Sequence, residues 1–193
     1  MRAFRATLTL VAVLCVVSAA AIAEAPAIGA AAPDFQLTTL DGKPFSLASA
    51  AKENKAVVLM WISTQCPYSN AYNAQMKEMA NAYASKGVLF VGINSNKTED
   101  AEKASAHAKK NGHTFPILKD PSNKIADLYD AQRTPEVYVI DSTGKLRYHG
   151  RITENHEDAA SSPDLKNALD ALLTGKTVAK TVTKAFGCTI KRA

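Results

Sequence analysis

Hydrophobic and polar positions in this chain fall into blocks, and the period of each block names an element. Val57-Val58-Leu59-Met60-Trp61-Ile62 is an unbroken apolar run. It predicts a strand covered on both faces. Tyr68, Tyr72, Met76, Met79 and Tyr83 then recur at helical spacing until Lys86-Gly87. That predicts one helix with this stripe turned into the core. Val88 to Ile93 reads as a second buried strand, so the three pieces form a βαβ unit with parallel strands and a right-handed crossover. Upstream, Phe35 to Leu47 reads as a hairpin turning at Asp41-Gly42. Residues 24–33, rich in Ala and Pro, read as a loose lead-in.

Downstream, Glu99 to Asn111 is polar and lysine-rich, a largely solvated helix. Phe115 to Leu118 is a short extended piece, and Asn123 to Tyr129 a short helix. Glu136 to Ile140 and Lys145 to Ile152 predict an antiparallel hairpin across Asp141-Ser142-Thr143-Gly144. Ser162-Pro163 opens a last helix, with Leu165, Ala168, Leu169, Leu172 and Leu173 inside and Gly175 at its end. A basic, Thr-rich tail carries Cys188. There is no internal repeat. The order predicts a single α/β domain over 24–193: a mixed β-sheet flanked by helices on both faces, resembling the thioredoxin-like fold.

The first 23 residues stand apart. Arg2 and Arg5 precede an apolar run from Leu8 to Val17, and Ala21-Ile22-Ala23 is an A-x-A-like cleavage site. This reads as a secretory signal peptide, so the mature protein is expected in the periplasm or secreted, with no membrane attachment after cleavage. The formal charge of +5 includes Arg2 and Arg5. The remaining excess is mild, and its lysines lack aromatic interleaving, so no nucleic-acid partner is expected. No Cys/His cluster has zinc spacing, and no metal or cofactor is expected. His107, His113, His149 and His156 are isolated in sequence and read as surface or satisfied polar residues.

Cys66 changes the picture most. A buried strand runs into it, and Pro67 follows. Pro favours the first position of a helix, so Cys66 falls at the N-cap. There its sulfur meets unpaired backbone N–H groups and the positive end of the helix dipole, which favour thiolate over thiol. Besides Cys66, only Cys188 survives removal of Cys15 with the signal segment, and export would let a disulfide between them persist.

Several segments together resemble the peroxiredoxin-like redoxin (AhpC/TSA-type) family of the thioredoxin superfamily, over roughly residues 28–190. They are Ala32-Pro33-Asp34-Phe35-Gln36-Leu37 with Asp41-Gly42-Lys43, and Ser63-Thr64-Gln65-Cys66-Pro67-Tyr68-Ser69-Asn70. Further on come Gly92-Ile93-Asn94-Ser95-Asn96, Arg133-Thr134-Pro135 before Val137 to Asp141, Gly150-Arg151-Ile152, and Gly187-Cys188-Thr189-Ile190-Lys191. The resemblance implies a cis Pro135 beside Cys66, shaping a groove where an extended substrate pairs with backbone. It implies that the Ser63 hydroxyl bonds the thiolate or a peroxide. It also implies that Thr64, Gln65, Trp61, Thr134 and Arg133 line the substrate site. The pattern departs from the family at three places. Ser69 and Ser63 occupy the positions where a second active-site cysteine would stand. Leu59 replaces the proline that peroxiredoxins place seven residues before the nucleophile. Asn70 stands where copper carriers of this fold have cysteine.

The resemblance thus implies a thiol-dependent, antioxidant oxidoreductase. Cys66 would attack a hydroperoxide, giving a sulfenic acid, or a protein disulfide, giving a mixed disulfide. Cys188 is the available resolving thiol, and an external thiol would act as reductant. Two readings stay beside it. One is a non-catalytic binding or chaperone-like role in maturing exported proteins or their cofactors. The other is a structural Cys66–Cys188 bridge.

Overall fold

The structure, a computed structural model, describes residues 25–155 and 161–192. The expected signal segment and His156 lie outside the described residues. A hairpin of β1 (Gln36–Thr38) and β2 (Pro44–Ser46) leads into α1 (Leu47–Glu53) and β3 (Ala56–Trp61). Then come α2 (Pro67–Ala71), α3 (Asn73–Ala84), β4 (Val88–Asn94), α4 (Ala101–Asn111), β5 (Ile117–Lys119) and α5 (Lys124–Leu128). The rest is β6 (Arg133–Thr134), β7 (Glu136–Asp141), β8 (Leu146–Gly150), α6 (Asp164–Leu173) and β9 (Cys188–Thr189).

Five strands form the main sheet in the order β5-β4-β3-β7-β8. β3, β4 and β5 run parallel, while β7 and β8 run antiparallel to their neighbours. Every residue of β3 is buried, which explains its unbroken apolar run. Val57, Leu59 and Trp61 face a cluster with α1 and α5, including Leu47, Tyr129 and Tyr138. Val58 and Met60 face the other cluster, with Met76 and Tyr83 of α3 and Leu165 and Leu169 of α6. The period of two sorts the strand between the two layers. The fold is α/β and thioredoxin-like.

Four expectations need correction. The helix after Cys66 is broken: Tyr72 (φ −91°, ψ −1°) caps α2 and starts α3. Its ring is drawn into the core and its hydroxyl pairs with Thr153 Oγ1 at 2.9 Å. A single turn residue, still in the right-handed region, leaves the spacing of the apolar stripe almost intact, so periodicity alone misses the break. Tyr68 is not in that stripe's core; it is 45% exposed and meets Phe186 edge-on at 6.2 Å. The lead-in is pinned, not loose: Gly29 N–H donates to Leu146 O, Ala32 N–H to Gly144 O, and Leu146 N–H to Ala30 O. Finally, α4 begins after Glu99. Asp100 caps it through Lys103 N–H at 2.7 Å, and Glu99 is buried rather than solvated.

The tail is docked along its length. Thr183 N–H donates to His149 O, Ile190 N–H to Gln132 O, and Lys191 N–H to Asn96 Oδ1. Ile190 is buried in the aromatic cluster, and Arg192 reaches Asp127 and the Ala131 carbonyl. Between these anchors β9 pairs antiparallel with β6, Cys188 opposite Thr134 and Thr189 opposite Arg133.

Candidate active site

Cys66 is the N-cap of α2, with Pro67 at the helix start. Its thiol is 2% exposed. Sγ donates to the Thr134 carbonyl at 3.1 Å and accepts from Ser69 N–H at 3.4 Å. Thr134 precedes Pro135 through a cis peptide bond. Cys188 lies against the same site, and both cysteines are free thiols. Burial pushes the Cys66 thiol up. Hydrogen bonds from the Cys188 and Thr134 side chains and from the Ser69 and Cys188 backbone outweigh it, so the net shift is downward. Cys188 moves the other way, to about 11, through its burial and the neighbouring Cys66. The two thiols are therefore split, Cys66 the more acidic and Cys188 the more reluctant to ionise.

The turn that carries Cys66 is held by a residue the sequence did not single out. Glu99 is 1% exposed. Its Oε1 accepts from Ser63 Oγ at 2.5 Å, and its Oε2 from Thr64 N–H at 2.7 Å and Asn94 Nδ2 at 2.6 Å. Burial alone would raise this carboxyl, yet these donors hold it below the usual carboxylate range. Asn94 Oδ1 accepts in turn from Lys119 Nζ at 2.7 Å. The Ser63 hydroxyl accepts from Cys66 N–H at 3.1 Å and Gln65 N–H at 3.2 Å. Ser63 thus fixes the turn by bridging Glu99 to the Cys66 amide. Its hydroxyl bonds Glu99 and these amides rather than the sulfur, contrary to expectation.

The other expected site residues divide. Thr134 lies at the sulfur, and Pro135 follows it through the cis bond. Thr64 is half-buried, and its carbonyl accepts from Asn70 Nδ2 at 3.0 Å. Gln65 is exposed, and its Oε1 accepts from Thr98. Arg133 is exposed, but its Nη1 is spent on Gly187 O at 3.3 Å and Thr189 Oγ1 at 3.0 Å. Trp61 is a correction: it is 0% exposed, packed on Tyr129 and Tyr138, with its indole N–H on Ser95 Oγ. A fully buried side chain facing the α1/α5 layer cannot line a substrate site.

The histidines also divide. His107 Nε2 pairs with Asn70 Oδ1, and His149 Nε2 with Glu136 Oε1 at 2.7 Å. His113 differs: both ring nitrogens are shut from solvent without a hydrogen-bond partner, and the ring stacks on Phe115 at 4.8 Å. Among the described residues, no group of three or more His, Cys, Asp or Glu is arranged to hold a metal ion.

Residues 28–149 match the AhpC/TSA family model. The chain belongs to the AhpC/TSA family. The thiol-disulfide oxidoreductase ResA of Geobacillus thermodenitrificans is 29% identical over 123 residues, 64% of this chain and 68% of that one. A hypothetical protein of Sinorhizobium meliloti 1021 superposes with a TM-score of 0.80 at 32% identity, covering 88% of this chain and 97% of its own. A thiol:disulfide interchange protein of the thioredoxin family, from Chlorobium tepidum TLS, superposes at 0.61 with 27% identity, covering 77% and 99%. This AhpC/TSA protein is accordingly a thiol oxidoreductase.

Proposed function

We propose that the protein exchanges disulfides with protein partners outside the cytoplasm, with Cys66 as nucleophile and Cys188 as resolving thiol. One observation carries the reading: Thr134 holds Cys66 Sγ on its carbonyl while its backbone pairs with Cys188. The Cys66 thiolate attacks one sulfur of a partner disulfide and expels the other as thiolate, leaving a mixed disulfide. Cys188, deprotonated, attacks the Cys66 sulfur and releases the partner's second thiolate. The partner has gained two electrons, and the enzyme holds a Cys66–Cys188 disulfide until an external dithiol reduces it. Cys188's raised pKa keeps it protonated while Cys66 attacks.

Protein disulfide is favoured over hydroperoxide as substrate. The two polar groups best placed by sequence to polarise a peroxide are engaged elsewhere, Ser63 with Glu99 and the Cys66 amide, Arg133 with the tail. The extracytoplasmic setting rests on Arg2, Arg5 and the apolar run before Ala23. No helix among the described residues is long and apolar enough to cross a membrane.

Reduced wild type, Cys66→Ser and Cys188→Ser are each mixed with the disulfide-linked dimer of a short peptide bearing one Gly-Cys pair and trapped in acid for mass mapping. Wild type should acquire the Cys66–Cys188 disulfide. Cys188→Ser should accumulate a mixed disulfide at Cys66 and stall, and Cys66→Ser should be inert. Undiminished steady-state turnover by Cys188→Ser would overturn the two-cysteine reading. Hydrogen peroxide should oxidise Cys66 no faster than a free thiol of the same pKa; a much faster reaction would make peroxide the substrate.

A further inference from the structure

The edge of β6 is the natural place for an extended polypeptide to pair beside Cys66, because backbone addition at a short free edge gives register and affinity together. In this protein that edge is taken. β9 lies on it antiparallel, and the cysteine it presents opposite Thr134 is Cys188. We propose that β9 is a tethered substrate mimic: the chain's own strand occupies the β6 edge and must be displaced before a partner's cysteine-bearing segment reaches Cys66. The proposal rests on Cys66 being the nucleophile towards protein disulfides, as argued above.

Three independent features support a built seat rather than a chance contact. Gly187, just before Cys188, has φ +148°, and a Cβ there would run into the Thr134 carbonyl oxygen. Gly150 of β8 is bare in the same way under Thr183, so both approaches to the strand need glycine. Arg133 on the β6 edge donates to both Gly187 O and Thr189 Oγ1, clamping the residues on either side of Cys188. With the strand in place Cys66 is almost wholly covered.

The tether gives the mimic a strong advantage. A short linker holds its cargo at an effective concentration on the order of millimolar, which a micromolar partner cannot match unless the strand lets go. The seat also selects. A partner in the register of β9 places the residue before its cysteine against the Thr134 carbonyl, so that residue must be small. The substrate class is therefore an extended segment with glycine ahead of its reactive cysteine.

The test uses the full chain with Cys188→Ser, so that only Cys66 reacts, with and without Gly187→Val to loosen the strand. The probes are the peptide Ala-Phe-Gly-Cys-Thr-Ile, joined through its cysteine to thionitrobenzoate, and the same disulfide of 2-mercaptoethanol. Cys66 attack joins the peptide sulfur to the enzyme and releases coloured thionitrobenzoate. Loosening the strand should raise the peptide rate relative to the mercaptoethanol rate about tenfold or more. With the strand loosened, a peptide with Val in place of Gly should react several-fold more slowly than the Gly peptide. Hydrogen exchange at Ile190, whose N–H donates to Gln132 O, reports release of the strand, and Arg133→Ala serves if Gly187→Val does not fold. A relative peptide rate unchanged when exchange shows the strand released would overturn the mimic, and equal Gly and Val rates would overturn its register. If even the mercaptoethanol disulfide fails to react with Cys66 in every variant, it is the nucleophile reading that falls.

Discussion

Ser63 and Glu99, 36 residues apart in sequence, meet through a 2.5 Å hydrogen bond beneath the Cys66 turn. Glu99 takes three donors on two carboxylate oxygens. Glu99→Gln keeps the shape but offers one acceptor oxygen and a donor amide, so at least one of Ser63, Thr64 and Asn94 faces a donor. Hydrogen bonds to a charged group contribute about 1.5–3 kcal/mol. The variant should lose stability on that scale in urea and alkylate Cys66 more slowly. Unchanged values for both would remove Glu99 from the site.

Iodoacetamide alkylation of Cys66 should show a midpoint below the ordinary thiol value of about 8.5. Replacing Cys188 by Ala takes away a donor to the thiolate. The Cys66 midpoint should therefore rise, since losing a group that favours the charged form shifts the equilibrium towards the thiol. In Cys66→Ser, Cys188 loses a neighbour that holds its pKa up, so its own midpoint should fall from about 11. The two opposite movements, followed by mass spectrometry against pH, test the coupling from both sides.

Trp61→Phe separates core from site. The change empties part of a packed aromatic cluster and takes the indole donor away from Ser95 Oγ, which keeps its own bond to Asp120. A cost of about 1–3 kcal/mol is expected. The Cys66 alkylation rate should stay at the wild-type value. A selective loss of partner reactivity, with stability intact, would restore Trp61 to the substrate site.

His113 sets an acid limit. Burial holds its pKa down to about 4, against 6.5 for a free imidazole, with His107 and Lys77 adding repulsion. Between those values the unfolded chain takes up a proton that the folded one refuses, so stability is full above about pH 6.5, falls as pH drops from there towards 4, and levels off below it. The residue as a whole is only partly buried, though both ring nitrogens are covered, and allowing for solvent screening the loss is on the order of 1 kcal/mol. That corresponds to roughly 2–4 °C in Tm for a chain of this size. His113→Phe should flatten this part of the pH–Tm curve; an equal slope in both proteins would clear His113 of the effect.

The sheet was legible because its central strands are apolar on both faces, and the turn at Cys66 because proline and strand end coincide there. Local rules reach that far. Glu99 was not legible: it sits between Thr98 and Asp100 in a polar stretch, and its partners lie up to 36 residues away. The docked tail was hidden for a related reason. Its seat is made by bare glycines and backbone amides, which leave no hydrophobic period to read. Trp61 misled in the opposite direction, since nearness to Cys66 in sequence does not say which side of the strand a ring faces.

The anchoring of the tail orders how the protein is assembled. The Glu99 cradle closes loops of 35 and 36 residues, the Thr134 contact a loop of 68, and the Lys191 anchor on Asn96 one of 95. Closure entropy rises with loop length, so the cradle has the smaller barrier and the strand over it the larger. A chain emerging from the ribosome therefore sets the Cys66 turn first and covers it last. In that interval Cys66 is an uncovered thiol that still lacks the Cys188 donors lowering its pKa, and a mispaired disulfide with another nascent chain is the hazard that follows.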